Sequence, residues 1–189
     1  PDFVLNEGDK ALLTGDSGTG KSTLMKAMLG QIKPKTGEVL YLDKSGKRLH
    51  PDLRKLGYLA QDLLIFPGSI ADNITMFNSK FNTKANNLVE QMAFEDDQAR
   101  FDDGLNTQLD PHRELLSGGQ QQKVVLMRLL LHQTPVLYLD EATSAIDQKA
   151  TTMILRNLMK TNATLLMIAH NLTPEQKALF DREIYLEGK

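Results

Sequence analysis

The stretch KALLTGDSGTGKSTLMKAMLG, Lys10 to Gly30, holds three kinds of local order in succession. Lys10 to Thr14 reads as a buried strand. From about Lys21 to Leu29 the apolar residues pair at i,i+4, Leu24 with Met28 and Met25 with Leu29, which predicts a helix that Gly30 stops. Between them GDSGTGKST, Gly15 to Thr23, matches G-x-x-x-x-G-K-[ST] with the strand before it and the helix after it that this motif requires. Gly15, Gly18 and Gly20 let the backbone turn tightly, so that N–H groups face inward around a phosphate with the positive helix end behind them. Asp16, Ser17, Thr19 and Thr23 complete the loop. Lys21 supplies a mobile cation for β- and γ-phosphates, and the Ser22 hydroxyl is a ligand for Mg²⁺.

Outward from this loop, apolar runs alternate with helical patterns, the signature of a mostly parallel sheet covered by helices. PKTGEVLYLD (Pro34 to Asp43) reads as a turn and a strand, and LGYLAQ (Leu56 to Gln61) as another strand. From Asp62 to Leu116 the chain turns to short polar helical pieces such as TKANNLVEQMA, predicting an inserted helical subdomain. The α/β pattern then resumes with VLYL (Val136 to Leu139), a helix from about Gln148 to Lys160, TLLMIA (Thr164 to Ala169) and a last strand in REIYLE. The expected division is therefore 1–61 and 117–189 as two parts of one core, with 62–116 inserted between them.

VLYLDE, Val136 to Glu141, is an apolar strand ending in two acids. In such folds ligands lie beyond the carboxyl ends of the strands. Successive strand side chains point opposite ways, so Asp140 and Glu141 cannot share one job. Asp140 is expected to orient Mg²⁺ and Glu141 to polarise an attacking water as general base. Without the phosphate loop, the same two acids would read equally well as a solvated strand end.

ELLSGGQQQKVVLMRLLL, Glu114 to Leu131, poses a different problem, because a core helix here starts with two glycines. Glycine in a helix costs roughly 0.5–1 kcal/mol relative to alanine, so Gly118 and Gly119 need a use that outweighs the loss. Ser117 reads as the N-cap, and bare glycine backbone at a positive helix end admits a phosphate.

The bounds narrow the function classes. A chain of 189 residues with net charge −2 has no global basic field, so neither nucleic acid nor anionic membrane is an expected partner. Zero cysteines remove disulfides and thiol chemistry. No stretch approaches the roughly 20 apolar residues of a membrane span, and PDFVLNEGDK lacks the pattern of a signal peptide. His50, His112 and His132 have no partners at metal-ligand spacing, and the eight methionines read as core filler.

In this order, phosphate loop, glutamine, LSGGQ, acidic pair and histidine resemble the nucleotide-binding domain of ABC transporters, over nearly the whole chain. The resemblance implies a P-loop ATPase core with a mostly parallel sheet, an antiparallel β portion and an inserted α-helical subdomain, using ATP and Mg²⁺. It makes Gln61 the Q-loop glutamine that contacts Mg²⁺ and ATP, Ser117, Gly118, Gly119 and Gln120 the signature, and Asp140 and Glu141 the Walker B pair. Asp147 falls in its D-loop, SAID, and His170 is its γ-phosphate-sensing switch histidine. It further implies a head-to-tail pair with a second nucleotide-binding domain, identical or related. Each ATP is then held by the phosphate loop of one copy and the signature of the other.

DLLIFPGSIADNI, after Gln61, resembles exporters whose ATPase follows a transmembrane domain, which places the domain on the cytoplasmic face of the cell membrane. There the helical subdomain receives a coupling helix; Ile65, Phe66 and Ile70 are either dock residues or subdomain core. Two departures stand out. TQLDPHR, Thr107 to Arg113, keeps only the Thr of the exporters' T-x-x-G-E-x-G, with Asp110, Pro111 and Arg113 in place of Gly, Glu and Gly. Lys123 replaces the usual Arg after the signature, keeping the charge but not the fork. The family also stacks an aromatic from well upstream of the loop on adenine; Phe3 reads instead as a strand residue with Val4 and Leu5, and the chain reads as an excised domain. An importer ATPase and a soluble, non-transport ABC ATPase are the competing readings.

Overall fold

The computed structural model describes residues 2–50, 52–110 and 115–188. The fold is organised by β1 (Lys10–Thr14), which leads into the phosphate loop and helix α1 (Lys21–Met28). A short hairpin follows, β2 (Tyr41–Leu42) against β3 (Arg48–Leu49), and then β4 (Leu56–Leu59). Next come β5 (Gly68–Ser69), α2 (Ile70–Thr75), α3 (Asn82–Gln91), α4 (Glu95–Gln98) and β6 (Gln108–Leu109), with β5 and β6 antiparallel. The chain closes with α5 (Gly118–Leu131), β7 (Val136–Asp140), α6 (Gln148–Met159), β8 (Thr164–Ile168), α7 (Pro174–Lys177) and β9 (Arg182–Tyr185).

The main sheet has the order β4-β7-β8-β1-β9, and every pairing in it is parallel. Strand side chains alternate between faces, and the sequence supplies an apolar residue for each. Leu137, Leu139, Leu165 and Met167 bury on the side of α5 and α6, against Leu126, Ile154 and Leu155. Tyr138, Leu166 and Ile168 bury on the opposite side with Ala11, Leu13 and the α1 residues Met25 and Met28. The α/β architecture with a mostly parallel sheet, smaller antiparallel pairs and helices thus has the predicted form.

Local differences have local causes. The strand expected over Pro34 to Asp43 is reduced to Tyr41–Leu42, because only those residues meet β3. Phe3, Val4 and Leu5 form no strand; Phe3 and Leu5 rest on the core cluster, whereas Val4 stays 67% exposed. A strand exists only where a neighbour completes its ladder. Pro111, His112 and Arg113 lie outside the described residues. Ile70 is fully buried in the core and so is not a surface for docking. It is the first residue of α2, whose N-cap Ser69 and Asp72 close a capping box.

One polar contact fixes the hairpin to the sheet. The Tyr41 hydroxyl donates to Met28 O at 2.6 Å and therefore accepts from the Tyr138 hydroxyl, 3.1 Å away. Burial drives the Tyr138 phenol well above its ordinary pKa, with the Tyr41 contact adding to the shift. Removing Tyr41's hydroxyl orphans both partners, whereas removing Tyr138's leaves the bond to Met28 intact. Tyr41→Phe should therefore cost about 1–2 kcal/mol in urea unfolding and Tyr138→Phe less, with the double variant costing less than the sum. Strict additivity would mean that the two hydroxyls do not act as a pair.

Candidate functional site

Parallel pairing places the carboxyl ends of all five main strands on one edge. The Gly15–Thr23 loop leaves β1, Gln61 follows β4, Asp140 and Glu141 end β7, and His170 follows β8. The sheet alone therefore brings these residues to one edge.

At the phosphate loop, Gly15 (φ 143°) sits so close to the chain after β9 that an added Cβ would lie 2.3 Å from Leu186 O. Gly20, with φ 93°, caps α1 without any side-chain hydrogen bond. The N–H groups of the first turn of α1 thus have no side-chain cap competing for them. Lys21 is buried and folds back over the loop, donating to Gly15 O at 2.8 Å and Asp16 O at 2.7 Å. Ser22 and Thr23 are exposed on the first turn, and Asp16, Ser17 and Gly18 are exposed along the loop, with Thr19 half-buried. Asp16 to Thr19 face Tyr185 to Gly188 across an open cavity.

Beyond β7, Asp140 is 4% exposed, and its carboxylate has no hydrogen bond or ion pair to the described residues. Its charge reaches Tyr58, whose phenol is raised above its ordinary pKa first by burial and then by Asp140. Glu141 turns away from it by adopting φ 56°, a left-handed conformation uncommon for such a residue. Its carboxylate lies 3.4 Å from His170 Nε2. Both side chains are part-exposed and line a cavity of about 260 Å³ with Thr143, Ser144 and Gln148. A carboxylate and an imidazole at this separation can together hold and orient a water, and the imidazole N–H can donate to an oxyanion.

The Ser117–Gln120 turn is placed differently. No hydrogen bond or ion pair among the described residues joins it to the Gly15–Thr23 loop. Ser117 is the N-cap of α5, accepting from Gln120 N at 3.3 Å while Gln120 Oε1 accepts from Ser117 N at 2.8 Å. The Gln120 amide then donates to Asp97 Oδ1, so that this side chain is used within the chain and turned from solvent. Asp147 is likewise engaged, as the N-cap of α6 accepting from Ala150 N at 2.9 Å. Gln61 is exposed on a bend after β4.

Several determinants have no signal in spacing alone. Gly119 meets a packing demand as well as leaving backbone bare: an added Cβ would stand 2.5 Å from Ala145 O, whereas at Gly118 the nearest atom is Ala145 Cβ at 3.5 Å. Lys123 makes a 2.6 Å ion pair with Asp97 and donates to Ala93 O. Arg128 donates to Asn73 O, Asn73 Oδ1 and Leu64 O, and its guanidinium lies over Phe66. Gln122 binds the turn that begins at Glu141.

The two glycines should therefore part ways. Gly119→Ala is expected to destabilise by about 1–3 kcal/mol, as overpacking does. Gly118→Ala should be neutral or gain up to about 0.5 kcal/mol from helix propensity. Thermal unfolding of both variants checks this, and equal tolerance would remove the close approach to Ala145 as a constraint.

The family model described as "ABC transporter" matches residues 1–144. The chain is similar to the mesentericin transport/processing ATP-binding protein MesD of Leuconostoc mesenteroides, 36% identical over 93% of this chain and 25% of that protein. It is 35% identical to the ABC multidrug transporter mdr2 of Aspergillus fumigatus, over 90% of this chain and 22% of that one. The transport/processing ATP-binding protein ComA of Streptococcus pneumoniae is 34% identical over 99% of this chain and 27% of its own length. Among solved structures, a bacterial Atm1-family ABC exporter with ATP bound superposes with a TM-score of 0.82 at 27% identity, over 97% of this chain and 33% of that one. The chain thus spans about a quarter of the curated relatives it matches.

Proposed function

The chain belongs to the ABC transporter family, and from that footing we propose that it is the ATP-hydrolysing motor domain of an exporter, driven by head-to-tail closure on a second nucleotide-binding domain. The observation that carries this is the Glu141–His170 pair at 3.4 Å, set on the same sheet edge as the Gly15–Thr23 loop. Its relatives are exporter-type transport proteins, which favours an exporter over an importer or a soluble ATPase.

In this reading the loop amides and Lys21 grip the β- and γ-phosphates, with Lys21 exchanging its carbonyl partners for phosphate oxygens. Glu141 accepts the proton of the attacking water, and His170 orients the γ-phosphate. Asp140 and Ser22 suit a hard divalent cation, since one offers a buried carboxylate without a partner among the described residues and the other an exposed hydroxyl on the first helical turn. Bound Mg²⁺ would neutralise phosphate charge there. Gln61 follows β4 on the same edge, and its exposed amide would contact the bound cation. Ser117, Gly118 and Gly119 serve the partner's nucleotide, Gln120 supports that turn, and Asp147 caps α6 near the interface.

Residues 62–116 are proposed as the helical subdomain that docks a coupling helix of a transmembrane domain at the cytoplasmic membrane face. Phe66, half-buried like Ile65, remains a candidate there beside the exposed Leu64, Met76 and Phe77. No described helix is long and apolar enough to cross a membrane itself.

Glu141→Gln keeps the side chain's size and loses the base, so it should bind ATP, slow hydrolysis on the order of 10²–10⁴-fold and accumulate an ATP-bound dimer. Normal steady-state turnover would remove Glu141 from the role of general base. Mixing Ser117→Arg with Lys21→Ala addresses the shared site. A head-to-tail mixed dimer has one site with both defects and one with neither, so activity should partly return; demonstrated mixed dimers that stay inert would argue for sites contained within one chain.

A further inference from the structure

Gln122 is 7% exposed, and its carboxamide makes three hydrogen bonds to a single turn. Nε2 donates to Glu141 O at 3.0 Å and to Ser144 Oγ at 2.9 Å, and Oε1 accepts from Ala145 N at 3.0 Å. That is most of what a glutamine amide can form. The turn it holds begins at a strained residue. Glu141 sits at φ 56°, a conformation that persists in a non-glycine residue only when its surroundings over-determine it. Glu141 N donates to Ile168 O at 3.0 Å, and its carbonyl accepts from Ser144 N at 3.1 Å as well as from Gln122. Gln122 stands on the second turn of α5, the helix that Ser117 caps and Gly119 packs against Ala145.

We infer that Gln122 is a positioning residue for the hydrolytic step, locking the backbone of Glu141 to the helix that begins at Ser117, so that each chain's general base is registered against its own signature turn. The inference rests on the ATPase reading above. Its physical content is that one amide joins two half-sites of the same chain. The Ser117 end of α5 faces the partner's nucleotide, Glu141 faces the chain's own, and the side chain between them cannot release one bond without loosening the others.

The test compares the wild-type chain with Gln122→Met, which keeps length and burial but loses all three bonds, and with Ser144→Ala, which removes one. Amide hydrogen exchange at Ala145 should rise about tenfold in Gln122→Met, the equivalent of one lost hydrogen bond. ATP affinity of the free chain, set by the Gly15–Thr23 loop, should stay within about twofold. Turnover should fall on the order of 10–100-fold in kcat with KM little changed, as for a displaced catalytic group, and Ser144→Ala should lie between. Two results overturn the inference: unchanged exchange at Ala145, or a kcat loss that tracks the thermal midpoint and ATP affinity, as general destabilisation would give. A wild-type chain that binds ATP without turnover would count against the proposed function instead, and the exchange measurement would still decide whether the clamp exists.

Discussion

A parallel ladder buried on both faces leaves polar chemistry only its edges. Within β1, β7 and β8 the side chains on each face are needed for burial against α1 or against α5 and α6. The one polar group in the middle of β7, the Tyr138 hydroxyl, is satisfied by Tyr41 rather than by a ligand. Each strand can therefore present function only after its last core residue, and parallel pairing puts all those points on one side. Thr14 passes to the Gly15 loop, Leu139 to Asp140 and Glu141, and Ile168 to His170. The distances in the site follow from strand register: Asp140 pairs with Ile168, so Glu141 and His170 leave adjacent strands almost level and meet at 3.4 Å.

The signature turn is held by a separate set of contacts, and these explain a departure from the family pattern. Asp97 accepts from both Gln120 and Lys123, tying the first two turns of α5 to α4. Lys123 also reaches Ala93 O, so its three-donor ammonium serves a carboxylate and a carbonyl that lie in different directions. A planar guanidinium fork is not what this geometry asks for, and the exchange of Arg for Lys here needs no compensating change. With the Gln120 side chain spent inward, what the turn leaves outward is Ser117 and the exposed glycine backbone at Gly118.

Sequence periodicity carried the parts of the fold that repeat. Strands of four or five apolar residues and the longer helices were legible because burial writes itself at period two or 3.6. Of the two-residue strands only β2 fell inside an expected strand, and β3, β5 and β6 exist through pairing and not through composition. Among candidate site residues, those placed on the one sheet edge were also named by motif and order. Gly119's approach to Ala145 and the Gln122 clamp were not, because each depends on which loop faces α5, a fact of tertiary packing with no spacing of its own. Ile70 shows a different limit: the sequence left it between dock residue and subdomain core, and its place as the first residue of α2 after the Ser69 cap puts it in the core.

These contacts converge on α5. Its first two turns hold the Glu141 turn through Gln122 and α4 through Lys123, and its last turns hold the segment after Gln61 through Arg128. Burial lowers the Arg128 pKa from its ordinary value, but a guanidinium keeps its charge, and its donors here go to Leu64 O, Asn73 O and Asn73 Oδ1. Breaking that set would strand a part-buried charge, which is costly. The segment bearing Leu64 and Phe66 is thus fastened to the same helix as the Glu141 turn. Over its 14 residues that helix is roughly 20 Å long, so the Arg128 contacts and the Ser117 cap stand toward its opposite ends.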